Sequence, residues 1–475
     1  MTELKWVRRH GGLGRIVTEV GVAVTSAGVP GSTVPSGTVP SGTAPGTGAP
    51  EQFAGGVRGP HGGELAAARP QLIRALNGQL LLGHIRDLGP CSRAELARIS
   101  GLSKPTVSVA LADAERAGLV RTAGQRTGRP GRSALLYEVR PEAGFILGLD
   151  VGAQYVRGAL ADLAGGIRAR SAARSRASSV RGRVGELIGL ADELCAGAGL
   201  TRGGITQTVI GSPGVYDPGR NAMALTGGLP GWDRPAVLER LREAFGPSLA
   251  VENDVDAAAL AERAHGHGRE VDSFAFVSVG TGIGMGLVLG GQLVRGAHGV
   301  AGEIAYMPMS GGEGTDPADA RRRGVLEASA SAPAVVRAAR RAGMRGQVSA
   351  RRVFTAAARG DARAAAVVAE EARLVARLLC AVVTVIDPRL IVLGGGIGQA
   401  PGFAAEVTRE LQQLAPVMPE VRVSALGTEA VVDGCLAAGS NLAWAQLTTA
   451  VPTGNSGTQH AGGPDTLAGG PGDAP

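Results

Sequence analysis

Lysine is nearly missing from this chain: of 48 basic residues only Lys5 and Lys104 are lysines, so the positive charge is carried by arginine. Aromatic residues make up 3% of the chain, so any core must be built from Val, Leu, Ile and Ala. The four cysteines, Cys91, Cys195, Cys380 and Cys435, lie far apart in sequence and form no CxxC or CxC pair. That spacing gives no support to a thioredoxin-like motif or a zinc knuckle. Scattered thiols fit a reducing compartment better than a disulfide scaffold. No stretch approaches the roughly 20 apolar residues needed to span a bilayer. The opening MTELKWVRRHGGLGRIVTEVGVAV carries basic residues before a mildly apolar run, but Glu19 and several glycines interrupt it, which argues against a signal peptide. A cytoplasmic protein without membrane partners is expected.

What is present is a 475-residue chain with 44% hydrophobic residues, enough for two to four packed domains. Its formal charge of +7 leans towards a polyanionic partner. Residues 25 to about 65 are rich in Gly, Pro, Ser and Thr and bury too little apolar surface to offset their ordering entropy. Residues 1–70 are therefore expected to be a disordered extension, and 449–475 a disordered tail. Composition shifts near residue 141. Before it come three short helical patterns and a basic hairpin. After it, apolar runs such as FILGLDVG, FAFVSVGTG and LIVLGGG alternate with long Ala/Arg/Glu helices, the pattern of an α/β domain.

Residues 71–140 predict a helix-turn-helix with a wing. Leu72, Leu76, Leu80, Leu81 and Ile85 recur at helical spacing. Ser92 and Glu95 form a capping box that opens a second helix through Ile99. Gly101 turns the chain, and Ser103 caps a third helix with Pro105 in its first turn. The second helix of such a pair enters the DNA major groove. With Val107 and Leu111 facing inward, Lys104, Thr106 and Ser108 face outward, where they reach phosphates or base edges. The following segment, LVRTAGQRTGRPGRSALLYEVR, predicts two strands around a basic loop carrying Arg126, Arg129 and Arg132. A G-R-P-G-R tip suits a narrow minor groove, whose negative potential attracts arginine. Residues 71–140 hold eleven Lys/Arg against five Asp/Glu, so most of the chain's net charge sits here. A structural three-helix domain with a solvated arginine loop is the alternative.

Five segments after 141 read as parts of one site. They are Gly148-Leu149-Asp150-Val151-Gly152, Gly211-Ser212-Pro213-Gly214, Glu252-Asn253-Asp254, Gly280-Thr281-Gly282-Ile283-Gly284 and Leu393-Gly394-Gly395-Gly396. Glycine turns after strands let backbone amides approach phosphate, and an aspartate there can hold a cation or its water. Any one is common in α/β folds; their order together is specific. With these segments the chain, over roughly 71 to 447, resembles the ROK family of repressors and sugar kinases, in particular its regulators with an N-terminal winged helix.

The resemblance implies an actin-like, two-lobed α/β sugar-kinase fold, with 141–265 as one lobe and 266–448 as the other. It implies that Asn253 and Asp254 bind sugar hydroxyls, with Asp254 as the base where phosphoryl transfer survives. The family's G-E-x-x-H motif stands here as Gly302-Glu303-Ile304-Ala305-Tyr306, and its G-C-x-E as Gly324-Val325-Leu326-Glu327. Glu303, Tyr306 and Glu327 are thereby implied as sugar contacts, although Tyr306 either bonds a ligand or fills space. The family's zinc-binding cysteines and histidine are replaced by Ala320-Arg321-Arg322-Arg323 and Tyr306, so no zinc site is expected. The phosphate loops, with Asp150, Gly152, Gly280, Thr281, Gly282 and Gly395, are vestigial or working. The first reads D-V-G-A-Q rather than the family's D-x-G-G-T, which weakens phosphate cradling.

The expected function is a sugar-responsive regulator, a repressor, binding double-stranded operator DNA as a dimer or tetramer and taking a sugar or sugar phosphate. No cofactor is expected for it. The alternative is an ATP- and Mg²⁺-dependent sugar kinase with a DNA-binding appendage. Asp254 has a plainer alternative as a helix N-cap.

Overall fold

The computed structural model describes residues 62–127, 133–217, 220–226, 229–309 and 317–449. The expected extension therefore lies outside the described residues up to residue 61, and so does the tail from 450. One part of that expectation is corrected. Helix α1 spans Gly62–Leu88, so helix begins inside the stretch read as disordered to residue 70. The strong helix formers of the ELAAAR run favour this, and Pro70 does not end the helix.

Helices α2 (Arg93–Ser100) and α3 (Lys104–Arg116) follow α1. A short β1 (Cys91–Ser92) pairs with β3 (Ser133–Val139), which pairs in turn with β2 (Val120–Thr127), giving a three-stranded antiparallel sheet of order β1-β3-β2. Three helices and a terminal hairpin make a winged helix. Its core holds Leu81, Leu82, Ile85, Leu96, Val107, Leu111, Leu119 and Tyr137.

The first lobe opens with an antiparallel meander, β4 (Phe145–Val151), β5 (Tyr155–Asp162) and β6 (Ile167–Arg174). Helix α4 (Val180–Gly197) leads to β7 (Gln207–Ser212), parallel to β4. A small hairpin, β8 (Val215–Asp217) and β9 (Ala222–Ala224), and helix α5 (Pro235–Phe245) lead to β10 (Leu249–Asn253), parallel to β7. The sheet order is β10-β7-β4-β5-β6. Helix α6 (Asp254–His265) leaves the end of β10.

The second lobe repeats the pattern. Strands β11 (Phe274–Val279), β12 (Ile283–Leu289) and β13 (Gln292–Leu293) form the meander. Helices α7 (Pro317–Arg323), α8 (Val325–Ser329), α9 (Ala332–Arg341), α10 (Ala350–Ala358) and α11 (Ala362–Ile386) follow. Then β14 (Leu390–Gly394) runs parallel to β11, with α12 (Gly395–Gly398), α13 (Phe403–Leu411) and β15 (Glu420–Val423) behind it. The order β13-β12-β11-β14-β15 matches that of the first sheet. In each lobe the parallel strands of the sheet end at glycine-rich turns facing one cleft, the usual place for ligands in open α/β sheets.

The last helix, α14 (Ala430–Thr449), corrects the linear division of the lobes at residue 265. It packs on β4 and β7 of the first sheet, on α6, and on α1 of the winged helix. Small residues permit this. A Cβ on Gly434 would sit 1.7 Å from the Ala257 carbonyl oxygen, so α6 and α14 touch backbone to backbone. Arg170 of β6 ties down the start of α14 through Glu429 at 2.7 Å and Asp433 at 2.6 Å. Val432, Leu436, Ala443 and Trp444 join Ile146 and Ala161 of the sheet and Leu81, Leu96 and Val107 of the winged helix in one apolar cluster. Among the described residues no helix is long and apolar enough to cross a membrane.

Candidate ligand cleft and nucleic-acid interface

The helix-turn-helix pair is built as its local sequence dictates. The Ser92 hydroxyl accepts from the Glu95 amide, and the Glu95 carboxylate accepts from the Ser92 amide at 2.9 Å, completing the capping box. Gly101 adopts the left-handed C-cap conformation, and the Ser103 hydroxyl accepts from the Thr106 amide. Val107 and Leu111 are buried, which turns Lys104 to solvent and leaves Thr106 and Ser108 half-buried. The Thr106 hydroxyl lies 2.8 Å from that of Ser103, so it takes part in the cap. Val109 is half exposed beside them. Arg126, on β2 rather than in a loop, donates to Glu95 at 2.5 Å and ties the wing to α2. Arg129 and Arg132 lie outside the described residues.

The second feature is a cleft of about 480 Å³ lined from both lobes. All eleven residues that the sequence singled out for sugar or phosphate contact line it: Asp150, Gly152, Asn253, Asp254, Gly280, Thr281, Gly282, Glu303, Tyr306, Glu327 and Gly395. Asn253, not Asp254, caps α6: its side-chain oxygen accepts from the Val255 and Asp256 amides, and its amide donates to the Gly214 carbonyl at 3.0 Å. The capping alternative thus falls on the neighbouring residue. The Asp254 carboxyl is pushed up to about 6 by burial, against bonds from its own amide and that of Val255. Glu303 is pushed up to about 7 by burial, then by the charges of Asp254 and Glu327. Glu327 accepts from the Ile283 amide at 3.1 Å and lies 3.6 Å from Arg323. Gly302 and Gly324 hold these motifs together. A Cβ on either would fall within about 2 Å of a backbone carbonyl, at 1.9 Å from Met285 and 2.1 Å from Ala305 respectively. Tyr306 is 40% exposed at the rim, its hydroxyl pKa raised by burial and by Glu303 and Glu327.

The first loop is closed on itself. Arg157, opposite Asp150 in the β4–β5 register, donates to Asp150 at 3.0 Å. The Gly152 amide donates to the Tyr155 carbonyl, and Arg183 holds the Gly152 carbonyl at 2.7 Å. Asp150 is pushed up to about 7 by burial first and by Asp254 next, with Arg157 opposing. A carboxylate bound to a guanidinium is poorly placed to hold a hydrated Mg²⁺. These residues therefore do not fit a magnesium-nucleotide at this loop, although the 280–284 turn lies beside Gly395 and Gly396 as a phosphate cradle would. Among the described residues no group of three or more His, Cys, Asp or Glu is placed to hold a metal.

Sequence reasoning missed three charged cleft residues: Arg157, Arg323 and Asp256. Arg157 could have been found from the register of the β4–β5 hairpin. Arg323 stands in the RRR run that replaces the family cysteines. Asp256 carried no local signal beyond an acid in the first turn of a helix.

Comparison with known proteins agrees with this layout. The ROK family model matches residues 146–441, and a MarR family model matches residues 80–133. The xylose repressor of Caldicellulosiruptor bescii is 24% identical over 384 residues, 77% of this chain and 96% of the relative. A putative xylose repressor of another Caldicellulosiruptor species is 29% identical over 238 residues, covering 50% of this chain and 59% of its own length. The crystal structure of a ROK family transcriptional regulator, described as a homolog of the E. coli MLC protein, superposes with a TM-score of 0.66 at 23% identity. It covers 79% of this chain and 98% of that one, a likeness of fold. With two matching lobes around the cleft and a winged helix ahead of them, this chain belongs to the ROK family and carries a MarR-type DNA-binding domain.

Proposed function

We propose that this protein is a sugar-responsive transcriptional repressor that binds double-stranded operator DNA in the cytoplasm. The observation that carries the reading is the shared apolar cluster. Leu81, Leu96 and Val107 of the winged helix pack with Ile146 of the first sheet and Trp444 of α14. The DNA-binding unit is thus packed onto the lobe whose strands and α6 line the cleft. Relatives that carry the name xylose repressor support the repressor sense.

In this reading α3 enters the major groove with Lys104, Thr106 and Ser108, and Arg126, Arg129 and Arg132 belong to the wing. The protein acts as a homodimer or tetramer on a pseudo-palindromic site, with half-sites about one helical turn or a multiple apart. Asn253, Asp254, Glu303, Tyr306 and Glu327 take a sugar. The sugar works only through unequal affinity for two arrangements of the lobes. The function requires no metal or nucleotide.

The test is operator binding by the full chain, on genomic fragments flanking its own gene, with and without a sugar panel. A retarded complex that a sugar releases supports the reading; indifference to every fragment in both conditions refutes it.

A residual sugar-kinase activity is a second reading, favoured by Asp254. A carboxyl raised to about 6 suits a general base near neutral pH. ATP-dependent phosphorylation of a hexose, abolished by Asp254→Asn, would establish it. The closed Asp150 loop opposes it.

A further inference from the structure

Asp256 stands on the third residue of α6, two beyond Asp254, and lines the cleft. Its exposure is 5%, and its Oδ1 is buried without a hydrogen-bond partner. Buried polar atoms in folded proteins are nearly always paired, so an orphan on a residue that lines a binding cleft needs a reason. The charged groups facing it are Glu252 on β10, Asp254 on its own helix, Glu303 across the cleft and Arg295 after β13. Arg295 is bound to Glu252. Asp254, Asp256 and Glu303 form no ion pair among the described residues. The two arginines that line the cleft, Arg157 and Arg323, each stand beside an acid, Asp150 and Glu327. Among the described residues the floor is therefore dominated by acceptors and negative charge, with each cleft arginine beside an acid.

We infer that Asp256 is a specificity residue that accepts a hydrogen bond from a hydroxyl or amino group of the bound sugar and selects sugars without phosphate or carboxylate. The inference rests on the sugar-regulator reading and narrows its ligand class. Burial pushes the Asp256 carboxyl up to about 8, so above that pH all three carboxyls are charged, and phosphate or carboxylate beside them meets like charge at short range, where solvent screens poorly. A neutral or amino sugar supplies the donors that the orphan oxygen lacks. The same orphan destabilises the empty protein, as residues set for a ligand commonly do.

Two measurements on the full chain decide it. The first is the melting temperature without sugar at pH 8. Asp256→Asn and Asp256→Ala should leave it unchanged or raise it. A fall of several degrees in both would make Asp256 a structural residue and overturn the inference.

The second, at a pH above about 8 where Asp256 is ionised, is calorimetric binding of D-xylose, D-glucose, D-glucosamine, D-glucose 6-phosphate and D-glucuronate. A neutral or amino sugar should bind at least about tenfold tighter than the anionic sugars, and Asp256→Ala should weaken it by about tenfold, the loss of one hydrogen bond to a charged group. Asp256→Asn keeps an acceptor and removes the charge. It should hold most of that affinity while narrowing the gap to glucose 6-phosphate. Tighter binding of the phosphate, or unchanged affinity in Asp256→Ala, would overturn the inference and leave the sugar reading standing. Binding by no member of the panel would count against the sugar reading, and the ligand-free melts would still decide Asp256.

Discussion

Replacing Gly434 by alanine tests the contact through which the cleft helix meets the last helix. The added Cβ would sit 1.7 Å from the Ala257 oxygen, 2.3 Å from its carbonyl carbon and 2.9 Å from its Cα. All three are backbone atoms, so no rotamer change relieves the clash. A relaxed contact is about 3.4–4 Å, so α6 and α14 must part by roughly 2 Å. Overpacking of this kind costs about 1–3 kcal/mol, and a rigid backbone neighbour places it at the upper end. The helix gains about 1 kcal/mol from losing a glycine. The net expectation is a loss of about 2 kcal/mol in urea unfolding, read as a lower midpoint at unchanged slope. The two-fold consequence is functional: operator affinity and its response to sugar should both change, because α14 also packs on α1. A variant as stable as the parent, with an unaltered sugar response, would refute the backbone contact and the coupling argued from it.

Lys104→Ala should weaken operator binding and reduce the slope of log affinity against log salt by about one, as for one phosphate contact; an unchanged slope refutes its placement. Arg126→Ala should affect that slope less than the single change Arg129→Ala, because Arg126 is already engaged by Glu95; equal effects would argue against the ion pair. Glu303→Gln should preserve operator affinity and abolish the sugar response; a retained response would remove Glu303 from the pocket. Glu371 is 3% exposed with Oε1 unpaired, and burial, then Glu370, pushes its carboxyl up to about 8 from an ordinary 4.5. The native state keeps this proton where the unfolded chain releases it, so the group lowers stability as pH rises from about 4.5 to about 8. Glu371→Met should therefore stabilise by about 1–3 kcal/mol at pH 8 and by little at pH 4.5. A pH-independent effect would refute this origin.

The parts legible in the sequence are those fixed by near neighbours. Ser92 with Glu95 and Ser103 with Thr106 are three residues apart, so one turn of helix brings them together and the pattern can be read directly. The cleft glycines were legible because each follows an apolar strand, and parallel strands of one sheet end on the same side. What was not legible depends on elements distant in sequence. Asn253 and Asp254 are both good N-caps, and the 3.0 Å bond from Asn253 to the Gly214 carbonyl of another loop accompanies the choice of Asn253. Asp256 reads as one more acid in a first turn; its isolation follows from the packing of β12 and α14 on α6. The start of α1 was misplaced because composition averaged over the Gly/Pro-rich stretch hid a short run of helix formers.

Helix α14 was illegible for a different reason, and that reason bears on mechanism. Its buried positions, among them Val432, Gly434, Leu436, Gly439 and Trp444, lie all around the helix rather than along one stripe, so its sequence names no partner. Such a helix must be enclosed on several sides, and here the sides are the first sheet, α6 and α1. The α6 side begins at Asn253, Asp254 and Asp256; the α1 side includes the 3.2 Å bond from Arg86 to Asn441. In the proposed reading, a sugar that drew the lobes together would pull on the first turn of α6. The Ala257–Gly434 contact cannot compress, so α14 must move with α6 or separate from it. Movement would then be carried into the cluster that holds Leu81 and Val107, buried residues of α1 and α3. A flexible linker between the winged helix and the lobes would have dissipated that displacement. A continuous apolar core would transmit it, because packed cores switch between discrete arrangements more readily than they deform.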